Sequence, residues 1–227
     1  MKTYRKTAIA AGVLFLAGYL GIFLGSAIYG PFVDASNYLS VIFPNKDQVV
    51  LGMFIELIND VSVVGLAIVL FPVLKKYGER LALGYFGFRM MEAVVLIVSK
   101  TGLLSLITLS QEYLAAGSPD GSYFQTAGAA ALDERFWASQ IQVVFFCMSA
   151  LIFYYVMYRS KLLPRFLSLW GFFAVASLIA ANLLPVPDLT EGFSIAQLLF
   201  LPIFISEILV ALWLIVKGFN TPEASSK

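Results

Sequence analysis

The chain has 227 residues, of which 60% are hydrophobic and 13% charged, and its mean hydropathy is +0.86. Soluble domains are about one-half apolar and about one-quarter charged, so this composition excludes a soluble globular protein and predicts an integral membrane protein. The formal net charge of +1 says little as a total, because the distribution of charge between the two sides of the membrane carries the information. We expect the lipid bilayer as a partner and no nucleic acid.

The sequence lacks the residues that most metal and nucleophile chemistry requires. Histidine is absent, and Cys147 is the only cysteine. This excludes a disulfide within the chain, a cysteine-based metal site, Ser-His-Asp or Cys-His catalysis, and nearly all zinc or di-iron chemistry. No G-x-G-x-x-G or P-loop motif is present either, so we expect no metal and no cofactor.

Apolar stretches long enough to cross a bilayer, about 20 residues each, occur six times. They lie near 8–30, 49–74, 81–109, 137–158, 165–184 and 195–217. The first is longer than the apolar region of a signal peptide, which is about 7–15 residues, and it is predicted to be an uncleaved span. The loops leave no room for a separate soluble domain. The sequence therefore predicts an all-α, six-helix transmembrane bundle forming a single domain over residues 1–227.

Two local features refine this prediction. Gly21 and Gly25, with Ala17 one turn earlier, form a stripe of small residues in span one that would let another helix approach closely. In the long third loop, GSPDG (117–121) is a turn signal, and the alanine-rich segment SYFQTAGAAALDER after it is expected to form either a short helix at the outer membrane surface or a disordered loop.

The basic residues predict the orientation of the chain. If the N-terminus is cytoplasmic, only Lys46 and Arg135 lie outside. The cytoplasmic set then has eleven members, which are Lys2, Arg5, Lys6, Lys75, Lys76, Arg80, Arg159, Lys161, Arg165, Lys217 and Lys227. This asymmetry follows the positive-inside rule, and an even number of spans places the C-terminus in the cytoplasm as well.

Six charged residues lie inside the predicted spans, where each costs roughly a few kcal/mol or more unless it faces protein or water. They are Glu56 and Asp60 in span two, where Asn59 accompanies them, Arg89, Glu92 and Lys100 in span three, and Glu207 in span six. At about 100° of rotation per residue, those of span two share one helix face and those of span three share another. We therefore expect them to converge inside the bundle.

A rise of about 1.5 Å per residue predicts two clusters at different depths. Lys100 comes out at a depth similar to that of the acids of span two, and the other three charges form a second cluster nearer the cytoplasm. Four carboxylates then face two cations, an excess that a low-dielectric interior does not tolerate. Either some acids are protonated at neutral pH, or the protein binds a proton, a cation or a cationic ligand there.

A resemblance to a known family rests on three stretches, FRMMEA (88–93), VFFCMSALIFYYVMYRSKLLPR (144–165) and EILVALWLIVKG (207–218). In these stretches and in the spacing of its spans, the sequence resembles the bacterial integral membrane proteins grouped as domain of unknown function 4386. The resemblance implies a six-span protein of the bacterial plasma membrane, with Arg89, Glu92 and Glu207 as the family's defining polar residues. Relatives often carry a histidine in span four where this chain has Ser149, so histidine-dependent chemistry does not transfer. No activity is implied.

Three classes of function stay open. A protein that binds or translocates a proton, a cation or a small cationic molecule at the carboxylates explains the charge excess most directly, and the thin pathway that six spans allow favours a homodimer. A structural, assembly or sensor protein would use the same charges only to fix helix packing. An intramembrane enzyme acting on a lipid-phase substrate would use Glu92 or Glu207 as general acid or base. The first two classes are close, with the first preferred for the charge excess, and no motif for a nucleophile supports the third.

Overall fold

The computed structural model describes residues 2–118, 123–184 and 195–220. The regular structure of these ranges is α-helical throughout, and the helices are α1 (Lys2–Val33), α2 (Tyr38–Val41), α3 (Lys46–Lys75), α4 (Glu79–Ser99), α5 (Thr101–Ala115), α6 (Tyr123–Ser160), α7 (Arg165–Leu183) and α8 (Ile195–Val216). Residues 119–121 of the predicted GSPDG turn, and Lys227 of the predicted cytoplasmic set, lie outside the described residues.

Among the described residues, six helical stretches are long and apolar enough to cross a membrane, which confirms the predicted number of spans. They are Tyr4–Val33, Lys46–Lys75, Glu79–Ala115, Tyr123–Ser160, Arg165–Leu183 and Leu198–Val216. Each predicted span falls on one of these stretches, so the chain is a multi-pass membrane protein. The cytoplasmic placement of both termini stays a prediction.

The third span is interrupted at Lys100, where the sequence predicted one uninterrupted helix. α4 ends at Ser99 and α5 begins at Thr101. The amide of Lys100 donates to the carbonyl of Ile97 at 3.2 Å, a tighter i−3 bond, while its φ of −73° and ψ of −16° stay in the right-handed helical region. The break is therefore a local tightening of the helix, and Lys100 lies at the junction of α4 and α5.

The alanine-rich segment of the third loop is helical from Tyr123 onward, but it is the first part of α6 and not a separate short helix. α6 runs for 38 residues to Ser160. From 129 to 142 the sequence has no glycine or proline and contains many strong helix formers, so nothing in it ends the helix before the predicted span begins.

Contacts divide the chain into two compact units. Unit 1 comprises Met1–Leu16, Ser62–Glu92 and Val143–Lys227, and unit 2 comprises Ala17–Val61 and Ala93–Gln142. Helices α1, α3, α4 and α6 contribute residues to both. The single domain expected from the sequence stays a prediction, and each unit is described by itself.

Unit 1 contains a continuous apolar core, whose largest fully buried side chains include Leu70, Leu74, Tyr85, Tyr154, Met157 and Leu214. A Cβ at Gly12 of α1 would lie 2.6 Å from the carbonyl oxygen of Ala211, so α1 and α8 approach at backbone distance. Arg5 donates from Nη2 to the carbonyl of Ile215 at 2.7 Å, and Gly218 follows with a φ of +78°. The C-terminus of α8 is therefore capped by the guanidinium of Arg5 and by Gly218 in the left-handed region.

Unit 2 is organised by the small residues of α1. A Cβ at Gly25 would lie 2.6 Å from the carbonyl oxygen of Gly52, and a Cβ at Gly52 would lie 2.8 Å from that of Gly25. A Cβ at Gly21 would lie 3.0 Å from the backbone nitrogen of Asn59. The close helix approach predicted from the small-residue stripe is confirmed, and the partner helix is α3.

The segment around α2 is fixed to α5 by one buried serine. The backbone amide of Phe43 donates to Oγ of Ser110 at 2.9 Å, and Ser110 donates to the carbonyl of Leu39 at 2.6 Å. Ser110 thus satisfies two backbone groups that the four-residue helix leaves open. This anchors the connection between α1 and α3 within unit 2.

Candidate functional site

Each unit contains one group of buried or partly buried charged side chains. The unit 1 cluster consists of Arg89, Glu92 and Glu207, and the unit 2 cluster consists of Glu56, Asp60, Lys100 and Arg135. The seven site residues predicted from the sequence all lie in or beside these clusters, with Asn59 next to Asp60. The predicted division into two groups is confirmed.

The unit 2 cluster is built around Lys100. Its Nζ lies 2.8 Å from Oδ2 of Asp60 and 4.0 Å from Oε1 of Glu56. The Asp60 side chain is only 1% exposed, and its Oδ1 accepts a long hydrogen bond from Asn59 at 3.4 Å. The expected convergence of Lys100 with the acids of span two is therefore confirmed.

The helix junction contributes to the position of Lys100. Its ammonium also donates to the carbonyl of Leu96 at 3.4 Å, one turn earlier on α4. The last carbonyls of a helix carry partial negative charge and have no partner within the helix, so they favour a nearby cation. The ammonium of Lys100 therefore contacts both the carboxylate of Asp60 and a carbonyl at the end of α4, which also accepts a hydrogen bond from Oγ of Ser99 at 2.7 Å.

Arg135, which is not among the predicted site residues, also belongs to this cluster. Nη2 of Arg135 lies 3.5 Å from Oε2 of Glu56 and also donates to the hydroxyl of Tyr29, whose ring centroid is 4.7 Å from the guanidinium carbon. Tyr29 in turn donates to the same oxygen of Glu56 at 3.0 Å. The sequence placed Arg135 in a loop, just before span four. Residues 129–142 include no glycine or proline, and this feature of the sequence could have shown that the helix of span four extends back past Arg135.

Close backbone packing positions Glu56 and Arg135. A Cβ at Gly25 would lie 2.9 Å from Cβ of Glu56, so only glycine lets α3 bring this carboxylate close to α1, which carries Tyr29. On the other side, a Cβ at Gly102 of α5 would lie 3.1 Å from a backbone oxygen of α6 and 3.8 Å from Cβ of Arg135. Small residues in α1 and α5 thus allow the helices to converge on the charges.

The unit 1 cluster is deeply buried and has a different composition. Nη1 of Arg89 donates to both carboxylate oxygens of Glu92, at 3.2 and 3.1 Å, and the two residues are three positions apart on α4. Nη2 of Arg89 lies 3.8 Å from Oε1 of Glu207 on α8. The guanidinium also faces two aromatic rings, with its carbon 5.1 Å from the ring centroid of Phe146 and 5.7 Å from that of Tyr85. The expected second cluster of Arg89, Glu92 and Glu207 is therefore confirmed.

Polar groups of α6 and α8 lie beside Glu207. The hydroxyl of Tyr154, which is fully buried, lies 2.9 Å from Oγ of Ser206, the residue before Glu207. Tyr154 fits because α7 has Gly171 opposite it, where a Cβ would lie 2.2 Å from the tyrosine ring. This hydroxyl pair could not be predicted from the sequence, because neither residue is charged.

The two clusters differ in their charge balance. With Arg135 included, the unit 2 cluster has two carboxylates and two cations, so it is neutral when all are ionised. The unit 1 cluster has two carboxylates and one guanidinium. The excess of two negative charges deduced from the sequence is therefore wrong and becomes an excess of one, located at Glu92 and Glu207.

A family model described as "Domain of unknown function (DUF4386)" matches residues 10–218. The chain belongs to this family. The matched range contains every residue of both clusters, and it contains Ser149, which is fully buried and donates to the carbonyl of Phe146 on its own helix at 2.8 Å. No curated protein and no solved structure shows a significant match to this DUF4386 chain. What its charged residues do therefore follows from their geometry.

Proposed function

We propose that this protein binds a proton or a small cation at the unit 1 cluster, and that uptake and release at this site are part of its activity in the membrane. The observation that carries the proposal is the sharing of one guanidinium by two carboxylates. Glu92 and Glu207 lie 3.1 and 3.8 Å from Arg89, and their side chains are only 3% and 12% exposed. If both acids are ionised, the charges of the two carboxylates and the guanidinium sum to one net negative charge.

A net charge among buried side chains is unfavourable. A buried ion is stabilised only by a partner that offsets its loss of hydration, and two carboxylates close together cannot both ionise at low cost. One added positive charge restores neutrality. It can be a proton on one carboxylate or a cation among the oxygens, and in both cases the site has one binding position for one charge.

The unit 2 cluster supports a second candidate, a structural role for buried charge in this protein. Its carboxylates and cations are equal in number, and each acid has a cation within 3.5 Å or less. Such a group is neutral without any ligand and serves to hold α1, α3 and α6 together. If the unit 1 cluster behaved in the same way, the protein would be a structural or assembly component.

The test measures proton and cation binding in parallel on purified protein in detergent. Infrared difference spectra between about pH 5 and about pH 9 report the gain or loss of a protonated carboxyl group, because ordinary carboxyl groups ionise below this range. Thermal unfolding at pH 7 with Na⁺, K⁺ or choline, at constant ionic strength, reports cation binding. A cation at about 100 times its dissociation constant adds about 2.7 kcal/mol of stability.

The decisive comparison uses the double variant Glu92→Gln/Glu207→Gln, with Asp133→Asn as the control for an exposed acid of α6. The wild type and the control are expected to show a titrating carboxyl signal or a cation-dependent unfolding temperature, and the double variant is expected to show neither. A wild type without either response would contradict the proposal and leave both clusters with a role in helix packing.

A further inference from the structure

The two acids of the unit 1 cluster make unequal contacts with Arg89. Both oxygens of Glu92 accept hydrogen bonds from Nη1, at 3.2 and 3.1 Å. Glu207 has one oxygen 3.8 Å from Nη2, which is beyond direct hydrogen-bond distance. Charge-assisted hydrogen bonds to the ionised form favour that form, so the contacts with Arg89 stabilise the charge of Glu92 more than that of Glu207.

The backbone reinforces this difference. Arg89 and Glu92 are three residues apart on α4, a spacing that holds their side chains together on one helix face. Glu207 is on α8, so its distance from Arg89 depends on how the helices pack. The Arg89–Glu92 pair is therefore local to α4, whereas the contact of Glu207 with Arg89 joins two helices and depends on how they pack.

Arg89 also restricts the kind of positive charge that can bind. Its guanidinium stays protonated under all conditions in proteins, and it points its N–H groups at the oxygens that a metal ion would need. Hard cations require several oxygen ligands around them. A metal ion or an organic cation would have to share these oxygens with a fixed cation a few ångströms away, whereas a proton adds directly to one carboxylate oxygen and needs no shell of ligands.

We propose that the ligand of this site is a proton, that Glu207 is the residue that takes it up, and that Glu92 remains ionised as the partner of Arg89. This deepens the proposed function and rests on it. In the step itself, a proton forms an O–H bond with one carboxylate oxygen of Glu207, and the charge of the cluster changes from one net negative charge to zero. No other bond is made or broken.

Titratable and charged groups of three helices interact with the two acids in unit 1. They include Tyr85, Arg89 and Glu92 on α4, Cys147 and Tyr154 on α6, and Glu207 itself on α8. Tyrosine and cysteine ordinarily have pKa values of about 10 and about 8.5 and are neutral in their protonated forms, while arginine remains charged. The two carboxylates are therefore the groups whose protonation state decides the charge of the cluster near neutral pH.

The experiment assigns the protonated carboxyl by its infrared band, using aspartate variants that keep the acid. In difference spectra of the purified protein, the carbonyl stretch of a protonated aspartic acid differs in frequency from that of glutamic acid. We expect Glu207→Asp to move the band and Glu92→Asp to leave its frequency unchanged. Adding Na⁺ or K⁺ at constant pH and ionic strength is expected to leave the band in place.

Glutamine variants supply the second measurement in case an aspartate variant does not fold. Glu207→Gln is expected to remove the band, and Glu92→Gln is expected to shift its titration midpoint to lower pH by about one unit or more, because Glu207 then has Arg89 to itself. Elution of each variant as a single peak on gel filtration serves as the control for folding.

The outcomes separate this inference from the proposed function. A band that moves with Glu92→Asp instead of Glu207→Asp overturns the assignment, and a band that Na⁺ or K⁺ removes overturns the proton as the ligand. In both cases a positive charge still binds at the cluster, so the proposed function stands. A wild-type protein without the band and without a cation response overturns both.

Discussion

Replacement of Lys100 by methionine is expected to destabilise the protein through the carboxylate that it leaves behind. Methionine keeps the length and flexibility of the apolar part of lysine, so the change is mainly the loss of the ammonium group. Asp60, 2.8 Å away and 1% exposed, then loses its cation, and the other cation of the unit 2 cluster, Arg135, contacts Glu56. Asp60 therefore becomes a buried charge without a partner of opposite sign in this cluster.

The magnitude follows from two limits. Breaking a buried ion pair by removing one partner typically costs about 3–5 kcal/mol. Asp60 can avoid the unpaired charge by taking up a proton, which for a carboxyl group with an ordinary pKa of about 3.9 costs about 4 kcal/mol at pH 7. We therefore expect Lys100→Met to lower the free energy of unfolding by about 3–4 kcal/mol at pH 7. The loss should shrink by about 1.4 kcal/mol for each unit of pH below 7.

The assay is equilibrium unfolding in mixed detergent micelles with increasing fraction of denaturing detergent, followed by circular dichroism at pH 7 and pH 6. The double variant Asp60→Asn/Lys100→Met is the matched control, because it removes both charges at once and should recover most of the loss. A loss below about 1 kcal/mol at pH 7, or an equal loss in the double variant, would refute the argument that Asp60 depends on Lys100.

Three further predictions concern other parts of the molecule. Arg89→Leu should lower the free energy of unfolding by about 3–5 kcal/mol in the same assay, because it leaves two acids without their shared guanidinium, and an unchanged value would contradict the pairing. Gly25→Ala places a methyl group 2.6 Å from the carbonyl oxygen of Gly52, so it should lower the free energy of unfolding by about 1–3 kcal/mol through overpacking. Gly87→Ala should leave the free energy of unfolding unreduced, because a Cβ at Gly87 has nothing within 4 Å. A single cysteine at Ser118, after the native cysteine has been replaced, should react with an impermeant thiol reagent only from the outer side of the membrane; reaction only from the cytoplasmic side would reverse the predicted topology.

The charged pairs were accessible to sequence reasoning because helix geometry is regular. A fixed rise and rotation per residue was enough to place Asp60 near Lys100, and Arg89 near Glu92 and Glu207. Both pairings are present in the structure. Long apolar helices with isolated charges give the strongest signal of this kind, since each charge must find a partner that is not lipid.

Other features depended on where helices begin and end, which the sequence specifies poorly. Arg135 was assigned to a loop because the hydropathy falls before span four, yet α6 continues backward to Tyr123 and brings the guanidinium to Glu56. The interruption at Lys100 could not be predicted, because the junction itself contains no proline or glycine. The pairing of Tyr154 with Ser206 arises from packing alone, because two uncharged hydroxyl groups leave no pattern in an apolar sequence.

The spacing of Arg89 and its two acids along the chain has a consequence for how the protein is made. Glu92 emerges from the ribosome almost together with Arg89, whereas Glu207 follows 118 residues later, a delay of roughly 6–24 seconds at about 5–20 residues per second. Arg89 and Glu92 can pair as soon as α4 has formed. The charge of Arg89 is then neutralised within its own helix while that helix enters the membrane. α8, which is synthesised after α4, then brings in Glu207, so the unit 1 cluster acquires its second carboxylate later than its ion pair.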